Sequence, residues 1–485
     1  MKSFITPHPQ EQPSLTGDWH GILKTGAMEL RLVFHLKQKP DGGYEGTMDS
    51  PDQGAMGIPL SEVRVEGRKL TLRVESIQGE FVGTLSEDGK TIRGEWKQSG
   101  LSLPLELRSG TPPPLPKRPQ EPKPPFPYRT EEVVVINQKA NVRLAGTLTL
   151  PRGKPPFPAV ILLTGSGAQN RDEELFGHKP FLVLADYLTR RGFATLRMDD
   201  RGVGGSTGDM SQATTLDFVQ DALAAVAYLG TRREIDPKRI GLLGHSEGAL
   251  VATIAAAQSP KVAFIVLLAG TAVPGEQILF RQAERMARQS GIPDNLIERN
   301  RQLQAQVFEI LRRESDDEKA VQQITEALLA NLTRGKVPDA QRRAFEEQAR
   351  NYTRPWFRTF LSLDPAEYLR KVKCPVLALW GENDLQVDPD QNMPPMEKAL
   401  RAAGNKRFTL RRLPGLNHLF QKSKSGLPTE YAQIEETFNP DALKVIGDWL
   451  QSVSSSLGAP SPSPRAGRVG EGASPRGPSR KPQRR

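Results

Sequence analysis

The stretch IGLLGHSEGAL, Ile240 to Leu250, decides how the rest of the chain is read. Ile240 to Leu243 is a continuous apolar run, the pattern of a strand covered on both faces. Gly244 and Gly248 then bracket Ser246, and Ala249 to Ala257 has helical character and is rich in small residues. A strand running into a sharp turn and then a helix, with small residues beside the serine, presents a hydroxyl at the end of a sheet. Serine is a weak nucleophile alone, so a base and donors for a developing oxyanion must come from elsewhere.

Outward from this stretch, apolar runs of strand length alternate with helical periodicity. Strands are expected at Glu132 to Ile136, Val142 to Leu150, Ala159 to Leu163, Phe193 to Arg197, Ile240 to Leu243, Phe264 to Leu268, Val376 to Trp380 and Phe408 to Leu413. Helices are expected at Phe181 to Arg190, Thr215 to Leu229, Ala249 to Ala257 and Ala442 to Leu450. The alternation argues an α/β class with an eight-stranded, mostly parallel sheet. Between Leu268 and Val376 lie about a hundred residues with no strand signal, far more than an ordinary connection. Gln277 to Tyr352 reads as a helical insertion, a cap spanning about 272–368, and Trp356, Phe357 and Phe360 near its return are candidates for an apolar pocket or for packing.

G-x-S-x-G occurs twice, at Gly244 to Gly248 and at Gly204 to Gly208, and context separates the two. Ser206 follows the polar string Asp199, Asp200, Arg201 and precedes Asp209, so it reads as a loop serine, while Ser246 is the candidate nucleophile. The chain has six histidines. His8, His20 and His35 belong to the N-terminal region, His245 adjoins the serine, and His178 reads as a surface or pocket residue. His418, in a loop after the last strand, remains as the general base. The carboxylate that orients it is expected after the strand at Val376 to Trp380, where a G-x-x-D loop selects Asp384 over Glu382, Asp388 and Asp390; Asp388 before Pro389 looks like a cap. The oxyanion donors are expected to be the N–H of Glu247 and that of Ser166, in the glycine loop after Ile161 to Leu163. That loop lacks the Gly-Lys-Ser/Thr of a phosphate cradle. No histidine and cysteine cluster has zinc spacing, so neither cofactor nor metal is expected. Arg201 among Asp199, Asp200 and Asp209 suggests a salt-bridged loop.

Residues 14–109 have a different period. Leu30, Leu32, Phe34 and Leu36, then Leu70, Leu72 and Val74, then Leu101, Leu103, Leu105 and Leu107 alternate with polar residues, and glycine-containing turns separate the runs. This predicts a small antiparallel β barrel or sandwich. A proline-dense linker, 110–128, should be extended, and the catalytic part should span 129–456. Every candidate site residue lies after that linker, so the β part is expected only to modulate activity.

The net charge of +10 is concentrated near the end, where 458–485 holds seven Arg and Lys against Glu471. With Pro, Gly and Ser abundant there, 457–485 reads as a disordered basic tail rather than a nucleic-acid arm. No run reaches the roughly 18 apolar residues of a membrane span, and no export signal is visible, so the cytoplasm is the default expectation. Cys374 is the only cysteine, which rules out an intramolecular disulfide.

Six strings carry a resemblance: TGSGAQNRD from Thr164, DDRGVGGSTGD from Asp199, GLLGHSEGAL from Gly241, PWFRTFLSLDP from Pro355, PVLALWGENDLQV from Pro375 and LPGLNHLFQ from Leu413. With them the chain resembles the α/β-hydrolase superfamily, and within it the bacterial esterases that join an N-terminal β domain to a core with a helical cap. The resemblance covers about Arg129 to Leu450. It implies Ser246 as nucleophile, Asp384 as acid, His418 as base, and the Ser166 and Glu247 N–H groups as oxyanion hole. Thr164 stands where many relatives have histidine. The implied reaction is hydrolysis of a small-molecule acyl ester through an acyl-enzyme. A prolyl-oligopeptidase-like peptidase or acyl thioesterase is the enzymatic alternative, and a polyanion binder acting through the basic tail is the alternative of another class. A homo-oligomer is compatible with the sequence.

Overall fold

The structure is a computed structural model that describes residues 14–25, 28–53, 55–98, 101–114, 116–332 and 339–458. The expectations for the first thirteen residues and for the basic tail beyond 458 lie outside the described residues.

Nine strands form the first sheet: β1 (Gly17–Thr25), β2 (Met28–Gln38), β3 (Tyr44–Ser50), β4 (Ala55–Pro59), β5 (Glu62–Glu66), β6 (Lys69–Val74), β7 (Gly79–Leu85), β8 (Thr91–Gln98) and β9 (Leu101–Ser109). Their order is β4-β3-β2-β1-β9-β8-β7-β6-β5, antiparallel throughout. One sheet therefore curls around one core, and the expected barrel or sandwich is an antiparallel half-barrel with β4 and β5 at its edges. Period-two alternation puts Leu32, Phe34, Leu36, Leu72, Val74, Leu105 and Leu107 into that core with Trp19, Phe81 and Trp96. Strand glycines permit the curl. A Cβ on Gly94 would lie 2.1 Å from the Val82 carbonyl oxygen, and one on Gly21 2.3 Å from that of Glu106.

The second sheet contains β10 (Arg129–Asn137), β11 (Val142–Leu150), β12 (Phe157–Leu163), β13 (Ala194–Met198), β14 (Ile235–His245), β15 (Ile265–Leu268), β16 (Val376–Gly381) and β17 (Phe408–Leu413). The order is β10-β11-β13-β12-β14-β15-β16-β17. β10, β11 and β13 pair antiparallel, and every pairing from β13 onward is parallel. Helices α1 (Pro180–Arg190), α2 (Thr215–Thr231) and α3 (Glu247–Gln258) connect the early strands. The middle strands are apolar without interruption because both faces are covered: Ala159 to Leu162, Ile240 to Leu243 and Ile265 to Leu268 are all buried, bar none. The chain reverses direction across the sheet at β12, flanked by β13 and β14, and the crevice at such a switch point is where α/β proteins bind ligands.

Between β15 and β16 run α4 (Gly275–Gln289), α5 (Asp294–Arg313), α6 (Asp317–Leu332), α7 (Asp339–Thr353), α8 (Pro355–Ser362) and α9 (Pro365–Leu369). This insertion has its own apolar cluster, in which Val307, Phe308, Leu311, Ile324 and Leu328 are buried. α10 (Pro389–Ala402) follows β16, and α11 (Pro440–Gly458) ends the described chain, extending a residue past the expected start of the tail.

The proline-dense segment, expected to be extended, contains a turn in which Glu121 N–H donates to Arg118 O, and it is not a free tether. Arg118 Nε, Nη1 and Nη2 donate to the carbonyls of Gly177, Ile434, Phe176 and Ala432 at 2.8–3.1 Å. Gln120 donates to Phe438 O at 2.6 Å and accepts from the N–H groups of Thr437 and Phe438. Tyr128 Oη donates to Asp186 at 2.9 Å.

Candidate active site

β14 delivers Ser246 into a tight elbow. The serine has φ 53° and ψ −115°, in a region that L-residues rarely adopt, and α3 starts at the next residue. Its N–H donates to Leu268 O of β15 at 2.8 Å, and its carbonyl accepts from Ala249 N–H. The two glycines are there because nothing larger fits. A Cβ on Gly244 would lie 2.0 Å from Gly248 O, and a Cβ on Gly248 would lie 2.1 Å from Leu163 O. Helix α3 is buried from Glu247 to Ala255, which explains its run of small residues.

The loops after β16 and β17 bring Asp384 and His418 together. Asp384 is fully buried, and its Oδ1 accepts from the N–H groups of Gln386 and Val387 at 2.8 and 2.9 Å. Its Oδ2 is 2.9 Å from His418 Nδ1, which leaves Nε2 as the free ring nitrogen. Ser246, His418, Ser166 and Glu247 line one cavity of about 390 Å³. Asp388 is the N-cap of α10, accepting from Asp390 N–H, and it pairs with Arg281 and Arg285 of α4.

Behind the serine lies a buried polar network that the sequence did not reveal. Glu173 Oε1 accepts from Gly165 N–H at 2.8 Å and lies 2.9 Å from His245 Nδ1. His245 Nε2 lies 2.9 Å from the His418 carbonyl oxygen. Both ring nitrogens face acceptors, so the imidazolium satisfies both. Burial opposes that charge, but the Glu173 carboxylate beside it holds His245 above the ordinary histidine range. One carboxylate thereby ties the glycine loop after β12 to the loop carrying His418.

Glu247 is also buried. Its Oε1 accepts from Thr215 Oγ1 at 2.6 Å and from Trp356 Nε1 of α8 at 2.7 Å, and desolvation raises its carboxyl above the usual range. Beside the glycine loop, Asp200 accepts from Thr164 Oγ1 and Gln169 N–H. Burial, reinforced by the charges of Glu247 and Glu173, pushes Asp200 up to about 7.

Trp356 and Phe360 stack at 5.3 Å and line the cavity with Ile278 and Leu279 of α4. Phe357 turns the other way, into the insertion's own cluster against Phe308 and Tyr352. His178 corrects the expectation of a surface or pocket residue. It is completely buried between Thr437, the Tyr431 carbonyl and Gln421, and desolvation lowers it to about 4. The Asp199 loop is salt-bridged, but to residues outside it: Asp199 pairs with Arg171, and Arg201 with Asp217 and Asp221 rather than with the neighbouring aspartates. Among the described residues no group of His, Cys, Asp and Glu could hold a metal, and no helix is long and apolar enough to cross a membrane. Burial pushes the Cys374 thiol up to about 12, the setting of a packing residue.

Leu175 and Phe176, in the loop before α1, and Tyr431, in a 3-10 turn at Pro428–Gln433, complete the opposite wall. Phe176 and Tyr431 meet edge to face at 5.4 Å. No periodicity marks these loop residues, and contacts between distant parts of the chain bring them together.

The chain is similar to several known proteins. Esterase EstD of Thermotoga maritima is 27% identical over 290 residues, covering 59% of this chain and 61% of the esterase. The chain thus spans less than two thirds of that relative. An uncharacterized 31.7 kDa protein of Escherichia coli, from the traX-finO intergenic region, is 27% identical over 266 residues, covering 53% of this chain and 83% of the relative. Among solved structures, the Pyrococcus furiosus esterase Pf2001 superposes with a TM-score of 0.42 at 16% identity, covering 71% of this chain and 100% of that one. A family model described as X-Pro dipeptidyl-peptidase (S15 family) matches residues 140–410, a span that holds Ser246 and Asp384 and stops short of His418. With more than half of the chain matched and an α/β-hydrolase strand order around the serine elbow, the protein belongs to the X-Pro dipeptidyl-peptidase (S15) family of α/β-hydrolases.

Proposed function

We propose that the protein is a serine hydrolase that cleaves carboxylic esters through an acyl-enzyme. The observation that carries this reading is Ser246 at φ 53° on the end of β14, in one cavity with a histidine whose other nitrogen is held by a buried carboxylate. Ser246 Oγ attacks the acyl carbonyl as His418 Nε2 takes its proton. Asp384 fixes the Nδ1–H tautomer and stabilises the imidazolium. The N–H groups of Ser166 and Glu247 stabilise the oxyanion. The tetrahedral adduct collapses as His418 returns the proton to the departing alkoxide. Water then attacks the acyl-enzyme by the same route, releasing the acid and restoring Ser246. The insertion serves as a cap: α4 and α8 supply the cavity's apolar wall, and Trp356 joins that wall to the side chain of Glu247.

The family description favours a second reading, a peptidase acting on a substrate with a free amine. Of the cavity-lining residues Glu247 is the acidic one, and its carboxyl is buried, engaged by Thr215 and Trp356, and raised toward its neutral form. Burial that disfavours the charged carboxylate makes it a poor anchor for an ammonium group, which supports uncharged acyl esters. A turnover screen of 4-nitrophenyl esters, acyl thioesters and X-Pro arylamides, with Ser246→Ala as blank, decides between them. Faster turnover of the X-Pro arylamides than of the esters would sink the ester reading.

A further inference from the structure

Among the described residues, the proline-dense segment ahead of β10 contributes none to the lining of the Ser246 cavity, yet Arg118 holds that cavity's wall from behind. Phe176 belongs to the loop before α1 and Tyr431 to the 3-10 turn at Pro428–Gln433, and more than 250 residues of chain separate them. Both line the cavity and touch edge to face. The direct cross-link between their backbones is the Arg118 guanidinium. On one side it donates to the carbonyls of Phe176 at 3.1 Å and Gly177 at 3.0 Å, and on the other to those of Ala432 and Ile434, both at 2.8 Å. Four carbonyls around one planar fork are a fit that lysine, with a compact ammonium, cannot reproduce. His178 adds a second tie, through the Tyr431 carbonyl.

The first sheet reaches the same place. β2 packs against the turn that carries Tyr431. The ion pair of Arg31 with Asp52 lies near enough to act on the Arg118 charge. An arginine desolvated against carbonyls, with no carboxylate hydrogen-bonded to it among the described residues, does not serve as a surface ion pair; its donors hold two loops in register.

We propose that Arg118 is a positioning residue that sets the substrate range of the cavity, and that through it the N-terminal half-barrel and its connecting segment govern which acyl groups fit. This gives the expected modulation of activity by the β part a physical route. It rests on the serine-hydrolase reading above. A short acyl group needs the elbow and the oxyanion donors but does not reach the Phe176–Tyr431 wall. A long acyl group is packed against that wall, so freeing the two loops removes its ordered contact surface.

The test uses the full-length chain with 4-nitrophenyl acetate and 4-nitrophenyl octanoate. Arg118→Ala is expected to lower kcat/KM for the octanoate about tenfold relative to the acetate, chiefly through KM, as misplaced contacts remote from the reacting atoms do. Arg118→Lys should recover part of that ratio. Gln120→Ala removes hydrogen bonds from the same segment to Thr437 and Phe438 while leaving those to Phe176, Gly177, Ala432 and Ile434 in place, so it should cost thermal stability and leave the ratio as in wild type. An unchanged ratio in Arg118→Ala, or an equal fall for both esters, overturns the proposal, as does a Gln120→Ala ratio shifted as far as that of Arg118→Ala. If Arg118→Ala does not fold, Arg118→Lys is judged by the same ratio. A wild type that turns over neither ester sinks the hydrolase reading and this inference together, whereas turnover with an unmoved ratio sinks this inference alone.

Discussion

The same five-residue pattern occurs at Gly244 to Gly248 and at Gly204 to Gly208, and the two serines have opposite fates. Ser246 follows a buried strand, takes a left-handed backbone conformation and faces a cavity shared with His418. Ser206 lies in a loop and its hydroxyl is spent. It donates to Asp199 O and accepts from Ala145 N–H, both at 2.9 Å, and so sews that loop to β11. The glycines differ as well. Gly244 and Gly248 allow a strand, a turn and a helix to cross within contact distance, whereas Gly204 makes room for the Asp199 carboxylate. A motif of this length acquires meaning from the elements on either side of it.

The largest expected effect is at the elbow. Ser246→Ala should lower kcat/KM by about 10⁴-fold or more, and an organophosphonate should label wild type on the peptide containing Ser246. Label recovered on Ser206 would reverse the comparison outright. Asp384→Asn should follow with a loss of about 10³–10⁴-fold and little change in circular dichroism, because an amide no longer selects the Nδ1–H tautomer of His418.

A smaller effect concerns Asp200, beside the glycine loop. Its carboxyl is raised in the folded state to about 7, so its contribution to stability is full below the unfolded carboxylate value and is lost as pH rises through about 7. The thermal midpoint of wild type should fall between pH 5 and pH 8 at constant ionic strength, and Asp200→Asn should flatten that slope. Equal slopes in the two proteins would show that another group titrates. The smallest effect belongs to Ser206→Ala. It removes a loop contact and strips Ala145 N–H of its acceptor, a loss of about 1 kcal/mol, or roughly 2–4 °C in midpoint. Turnover should stay within about threefold of wild type, since a lost neutral hydrogen bond outside the site is worth no more than this order.

Where the sequence was readable, one physical pattern repeated. Apolar runs without polar interruption marked the strands of the second sheet, because a residue covered on both faces has no polar option. Alternation marked the first sheet for the converse reason, yet it could not separate a barrel from a sandwich, since both bury every second residue. The order of Ser246, Asp384 and His418 was legible because each follows a strand that declares itself. Glu173 gave no such signal. It is one carboxylate in a charged loop, and its partners, Gly165 and His245, are set by the folding of that loop over the elbow.

By itself, then, the sequence determined the order of strands along the chain, the elbow and the identity of the residues that converge there, since local pattern and strand ends follow from which side chains tolerate burial. Tertiary structure alone decided how most other polar and aromatic side chains are placed. It buried His178, turned Phe357 away from the cavity while Trp356 and Phe360 faced it, spent the Ser206 hydroxyl, and set Arg118 behind loops that lie far apart in the chain. Hydrogen bonds and ring contacts act over a few ångströms in space, and spacing along the chain carries no record of which distant loop will come within that reach.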